Sequence, residues 1–277
     1  MTWPARILSA LRCPVCAAPV AETASGLRCE AGHTFDRARR GYVTLRAGHA
    51  KTLNADTAEM VAARERLQSG GWYAPVADAA ARAVAQVARG GRGLVLDLAG
   101  GTGYYAAAAL DALPGWDGIA MDLATPALKR AARAHPRCVA VGGDALRTLP
   151  LADASVDIVL SVFGPRVPSE VMRVLAPGGA LVVVTPLPQH LRELVEAVDG
   201  VHVHEGKSER LAAQYPQLER AVSEDVVATL ALTADAARDV LAMGPNAHHV
   251  AADDLASLGA RETTLAVRVE SLVAPRR

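Results

Sequence analysis

The chain has 277 residues, room for one large α/β domain plus a small extra module. It is 51% hydrophobic and 21% charged, an ordinary globular balance, and 29 basic residues cancel 29 acidic ones, which excludes an overall basic nucleic-acid coat. No stretch approaches the ~18 uninterrupted apolar residues of a membrane helix, and Arg6 and Arg12 break up the apolar residues that a signal peptide would need. A cytoplasmic protein with reduced thiols is therefore expected. The charge is unevenly spread: residues 1–75 carry ten Lys or Arg against six Asp or Glu, so the front is +4 and the remainder −4.

Three of the four cysteines lie in "CPVCAAPVAETASGLRCEAGH", as Cys13, Cys16 and Cys29, with His33 closing the group. C-x2-C, then twelve residues, then C-x3-H is a Cys3His ligand set for a closed, structural zinc site, with no open position for a catalytic water. Gly32 suits the tight turn of the second knuckle. The fourth thiol, Cys138 in "RCVAV", reads as buried strand. Next comes "FDRARRGYVTL", with Arg37, Arg39 and Arg40 beside Phe35 and Tyr42. Basic residues interleaved with aromatics suit phosphate contacts and base stacking; a solvated basic loop over two small-core aromatics fits the same residues. In "NADTAEMVAARERL", Asp56 stands three residues before Glu59, a capping-box spacing that predicts a helix.

From about residue 92 apolar strands alternate with amphipathic helices. "GLVLDLAGGTGYYAAAAL" predicts strand, glycine turn and helix. "GIAMDL", "CVAVGGD", "VDIVLSVF" and "GALVVVTP" predict four more strands, with Thr125-Pro126 as a helix start and "SEVMRVLAPGG" as a helix closed by a Pro-Gly-Gly turn. This pattern implies βαβ units and a parallel sheet covered on both faces. "VVATLAL" and "ETTLAVRVESL" predict two further strands, antiparallel at one edge. His202 and His204 in "VHVHEGK" alternate along a possible strand without a cysteine neighbour, which speaks against a metal site there. The domains read as a zinc-binding module over 1–50, a helical linker over 51–91 and the α/β domain over 92–277.

The turn "DLAGGTG" does not fit the dinucleotide spacing G-x-G-x-x-G. Asp97-x-Ala99-x-Gly101-x-Gly103 instead resembles motif I of class I (Rossmann-like) S-adenosylmethionine-dependent methyltransferases, with Ala99 where that family most often has its first glycine. Alanine fits there if the backbone needs no positive φ. The resemblance implies that Asp97 and the glycine backbone receive the methionine and ribose portions of S-adenosyl-L-methionine. It also implies that Asp122, with Leu123 beside it, accepts from the ribose hydroxyls. Asp144 would meet the adenine amino group with Ala145 packed alongside. Tyr104 and Tyr105 follow the motif directly; one of them, taken as Tyr105, is expected to cover the cofactor, with core packing as the role of the other.

Both halves together resemble the RlmA family, through "GHTFDRARRGYVTLR", "DTAEMVAARERLQSGGWYAPV", "GTGYY", "KRAARAHPR", "SVFGPRVPSEVMRVLAPGG" and "VVVTPLPQHLRELV"; "AMGPNAHH" leans toward its tylosin-resistance branch. The resemblance implies methylation of guanine N1 in a 23S rRNA hairpin loop near the peptide exit tunnel, a bearing on macrolide resistance, and a homodimer. The zinc module would dock the RNA through Arg37, Arg39 and Arg40, with Arg64 near its path. Phe163 would stack on the target base and Arg166 would contact guanine O6 or phosphate; the alternative is a core Phe163 and a surface Arg166. The rival reading is a methyltransferase acting on a small molecule with a purely structural zinc. A zinc-containing RNA-binding protein without catalysis is disfavoured by intact Asp97, Asp122 and Asp144.

Overall fold

The computed structural model describes residues 3–46, 55–198, 207–244, 255 and 257–275. The front of the chain forms α1 (Ala5–Ala10) and a three-stranded antiparallel sheet of β1 (Val20–Glu22), β2 (Gly26–Cys29) and β3 (Thr34–Asp36). β4 (Val43–Thr44) then leaves this small sheet and pairs in parallel with a strand of the main one. Two helices follow, α2 (Ala58–Ser69) and α3 (Ala74–Val87). α3 buries Val76, Ala77, Ala80, Ala83, Val84 and Val87, an apolar stripe at helical spacing.

The α/β repeat begins with β5 (Leu94–Leu98), α4 (Tyr104–Asp111), β6 (Asp117–Asp122), α5 (Thr125–Ala131) and β7 (Cys138–Gly142). It continues with β8 (Val156–Val162), α6 (Pro168–Val174), β9 (Leu175–Pro186), α7 (Arg192–Glu196) and α8 (Lys207–Gln214). β10 (Glu219–Leu232), α9 (Ala234–Ala242) and β11 (Arg261–Val273) complete it. The main sheet runs β10-β11-β9-β8-β5-β6-β7-β4, with parallel pairings except those of β11, which runs antiparallel to β9 and β10 at one edge. All five residues of β5 are buried, as a central strand covered on both faces requires. Val95 faces a core layer with α3, α4 and α9, while Leu94, Leu96 and Leu98 face the opposite layer. The strand order reverses at β5, between β6 and β8, so the crevice of the sheet opens at the carboxyl ends of these strands.

The second core layer is shared. Ile7, Leu11, Val20 and Leu27 from the front pack with Leu94, Ile119 and Val141 from the main sheet and with Leu151 ahead of β8. Arg12 N–H donates to Pro150 O and Ala152 N–H to Ala10 O, and β4 pairs Val43 with Val141. The zinc segment is thus built onto the sheet edge and has no separate core.

Three local expectations are corrected. The cap of α2 is Thr57, whose hydroxyl accepts from Met60 N–H at 3.2 Å; Asp56 instead forms an ion pair with Arg64 at 2.6 Å. Thr125 does not cap α5: Ala124 is the N-cap, and its N–H donates to Asp122 Oδ1 at 2.7 Å. The "APGG" stretch is the entry to β9, with Gly178 at φ 73 and a register shift opposite β8. His202, His204 and the end of "AMGPNAHH" lie outside the described residues.

Candidate active site and metal centre

The carboxyl ends of β5, β6, β7 and β8 open onto a cleft of about 1060 Å³. Asp97, Ala99, Gly101, Tyr105, Asp122, Leu123, Asp144, Ala145 and Phe163 all line it. The turn after β5 is held by its neighbours: Gly100 N–H donates to Met121 O at 2.9 Å, and Gly101 N–H to Asp122 Oδ2 at 2.8 Å. Ala99 sits at φ 58, so the backbone there does take the left-handed conformation that glycine adopts freely. Gly103 opens α4 at φ 78 but does not line the cleft; a Cβ there would lie 2.9 Å from Ala134 Cβ, so its place is helix packing.

Asp97 is 1% exposed and accepts from Ala106 N–H through Oδ2 at 3.1 Å. Its Oδ1 is buried with no hydrogen-bond partner. Burial pushes this carboxyl up to about 7, with nearby Asp122 adding to the shift. Burial also raises Asp122, partly offset by hydrogen bonds from Ala124 and Gly101 N–H. Asp144 accepts from Leu146 N–H at 2.9 Å and lies 3.4 Å from Arg147. An orphaned carboxylate oxygen beside a glycine turn, with two further carboxylates at successive strand ends, fits S-adenosyl-L-methionine. Asp97 would face its cationic methionyl end, Asp122 its ribose and Asp144 its adenine.

One wall of this cleft comes from the helix that carries Arg64, ahead of the α/β repeat. Thr57, Met60, Arg64 and Gln68 line it from α2 and its cap, and their spacing of three and four residues puts them on one helix face. Arg64 donates to Met243 O at 2.7 Å, and its Nη1 lies 3.2 Å from where a Cβ on Gly101 would be. Gln68 Oε1 accepts from the Thr102 hydroxyl at 2.6 Å. Tyr73, just before α3, also lines the cleft. It is 2% exposed and its hydroxyl has no partner.

Phe163 follows β8 at φ 56 and is 41% exposed. Its ring stacks on His190 (centroids 5.9 Å, planes 27° apart) and meets Tyr73 edge-on at 6.4 Å. His190 Nδ1 accepts from Ala266 N–H at 3.1 Å, so the neutral ring carries its proton on Nε2. Arg166 is not among the cleft residues; it lies by the Tyr215 hydroxyl of the segment after α8. That location differs from the base-contacting position expected of it.

In the front segment, Cys13, Cys16, Cys29 and His33 place their ligand atoms within 4.8 Å of one another. Cys13 Sγ and Cys29 Sγ lie 3.6 and 3.3 Å from His33 Nδ1, and Cys16 Sγ lies 3.7 Å from Cys29 Sγ. Tetrahedral zinc, with bonds of about 2.3 Å to sulfur and about 2.0 Å to nitrogen, needs edges of roughly 3.5–3.8 Å, so the set fits. Although burial pushes the Cys29 thiol up, hydrogen bonds from His33 and the neighbouring thiols outweigh it and bring it down to about 6. Gly32 makes the second knuckle at φ 84. Cys138 is buried core, as expected, its thiol pushed up to about 12 by burial.

Arg37 pairs with Glu22 and lies over the Trp3 ring at 5.5 Å, so it is engaged within the zinc segment. Arg39 and Arg40 are exposed on the turn that Gly41 closes at φ 98. Phe35 and Tyr42 pack against the two core layers, which leaves the arginines as the outward feature of this loop.

The zinc-ribbon family described as "RlmA, N-terminal" matches residues 11–52, and the family described as "Methyltransferase domain" matches residues 95–179. A Streptomyces fradiae protein named 23S rRNA (guanine(748)-N(1))-methyltransferase is 45% identical over 93% of this chain and 94% of its own. A Micromonospora griseorubida protein, provisionally named a 23S rRNA (guanine-N(1)-)-methyltransferase, is 44% identical over 98% of this chain and 96% of its own. Among solved structures, the YcgJ protein of Bacillus subtilis matches 70% of this chain and 97% of its own at 16% identity and TM-score 0.52, a likeness of fold. No helix among the described residues is long and apolar enough to cross a membrane.

Proposed function

The chain belongs to the RlmA family of 23S rRNA (guanine-N1)-methyltransferases, and on that premise we propose that it methylates N1 of the 23S guanine for which its Streptomyces relative is named, number 748. S-adenosyl-L-methionine supplies a methyl group already activated on sulfur, so the protein's task is alignment. Guanine N1 lies on the Watson–Crick edge, and the base must leave any pair to reach the cleft. The observation that carries the reading is Phe163, an aromatic left partly exposed on a left-handed backbone at the cleft and stacked on His190. Such a ring is a platform for an unstacked base.

Arg39 and Arg40, exposed on the zinc segment, supply phosphate contacts that position the RNA. Arg37 acts indirectly by bracing that loop against Glu22 and Trp3. The substrate is a hairpin loop near the peptide exit tunnel, the enzyme is cytoplasmic and homodimeric, and its mark lowers susceptibility to macrolides such as tylosin; these finer assignments rest on the family resemblance. The division at 1–50, 51–91 and 92–277 is proposed as one of roles, RNA docking, linker and methyl transfer, within a front and a main sheet that share a core layer.

The test incubates purified protein with labelled S-adenosylmethionine and unmethylated 23S fragments, then identifies the labelled nucleoside. The expected product is 1-methylguanosine. Phe163→Ala should lower kcat/KM for RNA by about 5- to 150-fold, the value of one base–aromatic stack, while leaving cofactor affinity unchanged. A protein that binds cofactor but labels no RNA would sink the ribosomal assignment and favour a small-molecule substrate.

A further inference from the structure

Beyond the strand-end carboxylates, the cleft continues along the chain that leaves β9. Pro186, Pro188, His190, Leu191, Arg192 and Val195 line this part, with the Phe163 ring stacked against His190. β11 holds the segment in place. Leu187 N–H donates to Ala266 O at 3.0 Å, and Leu191 N–H to Thr264 O at 2.6 Å. In return, Ala266 N–H donates to His190 Nδ1 at 3.1 Å. The Glu193 carboxylate accepts from Thr264 N–H at 2.9 Å and from the Thr264 hydroxyl at 2.7 Å. The stretch from His190 to Arg192 is therefore fixed by bonds on either side of it, next to the Phe163 platform.

Two arginines line the cleft. Arg64 is neutralised by Asp56 at 2.6 Å. Arg192 is exposed and meets no carboxylate among the described residues. Its neighbour Glu193 faces β11 instead, where hydrogen bonds from its own N–H and from Thr264 hold its carboxyl down to about 2. Arg166, the arginine expected at the target base, is turned away toward Tyr215. A cation without a protein partner, on an otherwise apolar stretch beside an aromatic platform, is the complement of a nucleotide: the ring takes the base and the fork takes the phosphate. We propose that Arg192 binds a phosphate flanking the target guanine while the base stacks on Phe163. The inference rests on the RNA reading above and names the backbone contact of that reading at the cleft itself. Arg39 and Arg40 hold the RNA from the zinc segment; Arg192 holds the nucleotide that reacts. Gripping that nucleotide by its backbone leaves the Watson–Crick edge free for the methyl group.

The experiment follows methylation of 23S fragments by the full-length protein across a salt series. Arg192→Gln should raise KM for RNA by about fivefold, the worth of one exposed ion pair, with kcat and S-adenosylhomocysteine affinity unchanged. The slope of log kcat/KM against log salt should become shallower by about 0.7, the share of one phosphate on a single strand. Arg192→Lys keeps the charge and should keep the slope, which a merely structural role would not require. Arg166→Gln should leave the slope as it is. Thermal melts check that every variant is folded. An unchanged slope in Arg192→Gln, with the wild type still yielding 1-methylguanosine, would overturn the proposal and leave the RNA reading standing. A slope that falls with Arg166→Gln instead would overturn it as well. If the wild type labels no RNA, the RNA reading falls and this contact falls with it.

Discussion

Ala99 and Gly101 sit two residues apart in the same turn, both at positive φ, and only one is a glycine. An alanine in the left-handed region costs about 1–2 kcal/mol, partly offset because glycine loses about 0.5–1 kcal/mol more on folding. Ala99→Gly is therefore expected to hold or raise stability by up to about 1 kcal/mol in denaturant melts. Gly101→Ala goes the other way: it takes on that strain and sets a Cβ 3.2 Å from Arg64 Nη1. Chemical denaturation and cofactor titration should both show a loss. Asp97 makes a pH prediction. Its folded value of about 7 lies above the ordinary carboxyl value, so its contribution to stability is full below about pH 4 and is lost as pH rises through about 7. With Asp97 proposed to face the cofactor's ammonium, affinity should run oppositely, because that pairing needs the ionised carboxylate. S-adenosylhomocysteine should bind more tightly at pH 8 than at pH 6, and Asp97→Asn should flatten both trends.

At the level of elements, α2 serves as a wall of the cleft at the strand ends, which explains its mixed character. The face with Met60, Arg64 and Gln68 is turned inward even though two of the three are polar, because its target is a polar turn. Arg66 reaches Asp239 of α9 at 2.8 Å and Arg64 reaches Met243 beyond it, so α2 and α9 brace each other. Gln68→Ala would leave the buried Thr102 hydroxyl without its acceptor, at a cost of about 1–3 kcal/mol. The expected result is a lower melting temperature with faster amide exchange in the turn from Gly100 to Gly103; unchanged exchange there would show that Gln68 does not brace the turn. The loops carry a related signature. Ala99, Phe163 and Leu191, three of the five non-glycine residues at positive φ among those described, all line the cleft. Strain of this kind collects where a site dictates the backbone.

For the whole molecule, the zinc segment is an extension of the main sheet. β4 pairs with β7, whose following loop carries Asp144, and the front's apolar residues share a core layer with β5 and β6. A metal that closes the two knuckles therefore stabilises more than the small sheet. Chelating the zinc, or Cys13→Ala, should lower the midpoint of one cooperative calorimetric transition. A separate early transition with the main one unmoved would instead mark the segment as an independent unit.

Chain-local chemistry was legible from the sequence. The Cys3His spacing specified a tetrahedral ligand set, because knuckle geometry depends on residues a few positions apart. The alternation of apolar strands and helices announced a parallel sheet, and Asp97, Asp122 and Asp144 stood at strand ends that such a sheet gathers into one crevice. The cap of α2 falls on Thr57, one residue past Asp56, because two neighbouring oxygens have nearly equal local claims, whereas α5 has Ala124 as its N-cap, with no side-chain cap of its own, because Asp122 at the end of β6 takes the Ala124 N–H. What only the tertiary structure decided involves contacts between distant segments. Tyr73 and Arg64 on the wall of the cleft, His190 against Phe163, Arg166 drawn off to Tyr215, and β4 in the main sheet all depend on where helices and strands settle after packing. Local spacing holds no information about such neighbours; burial of the shared core does.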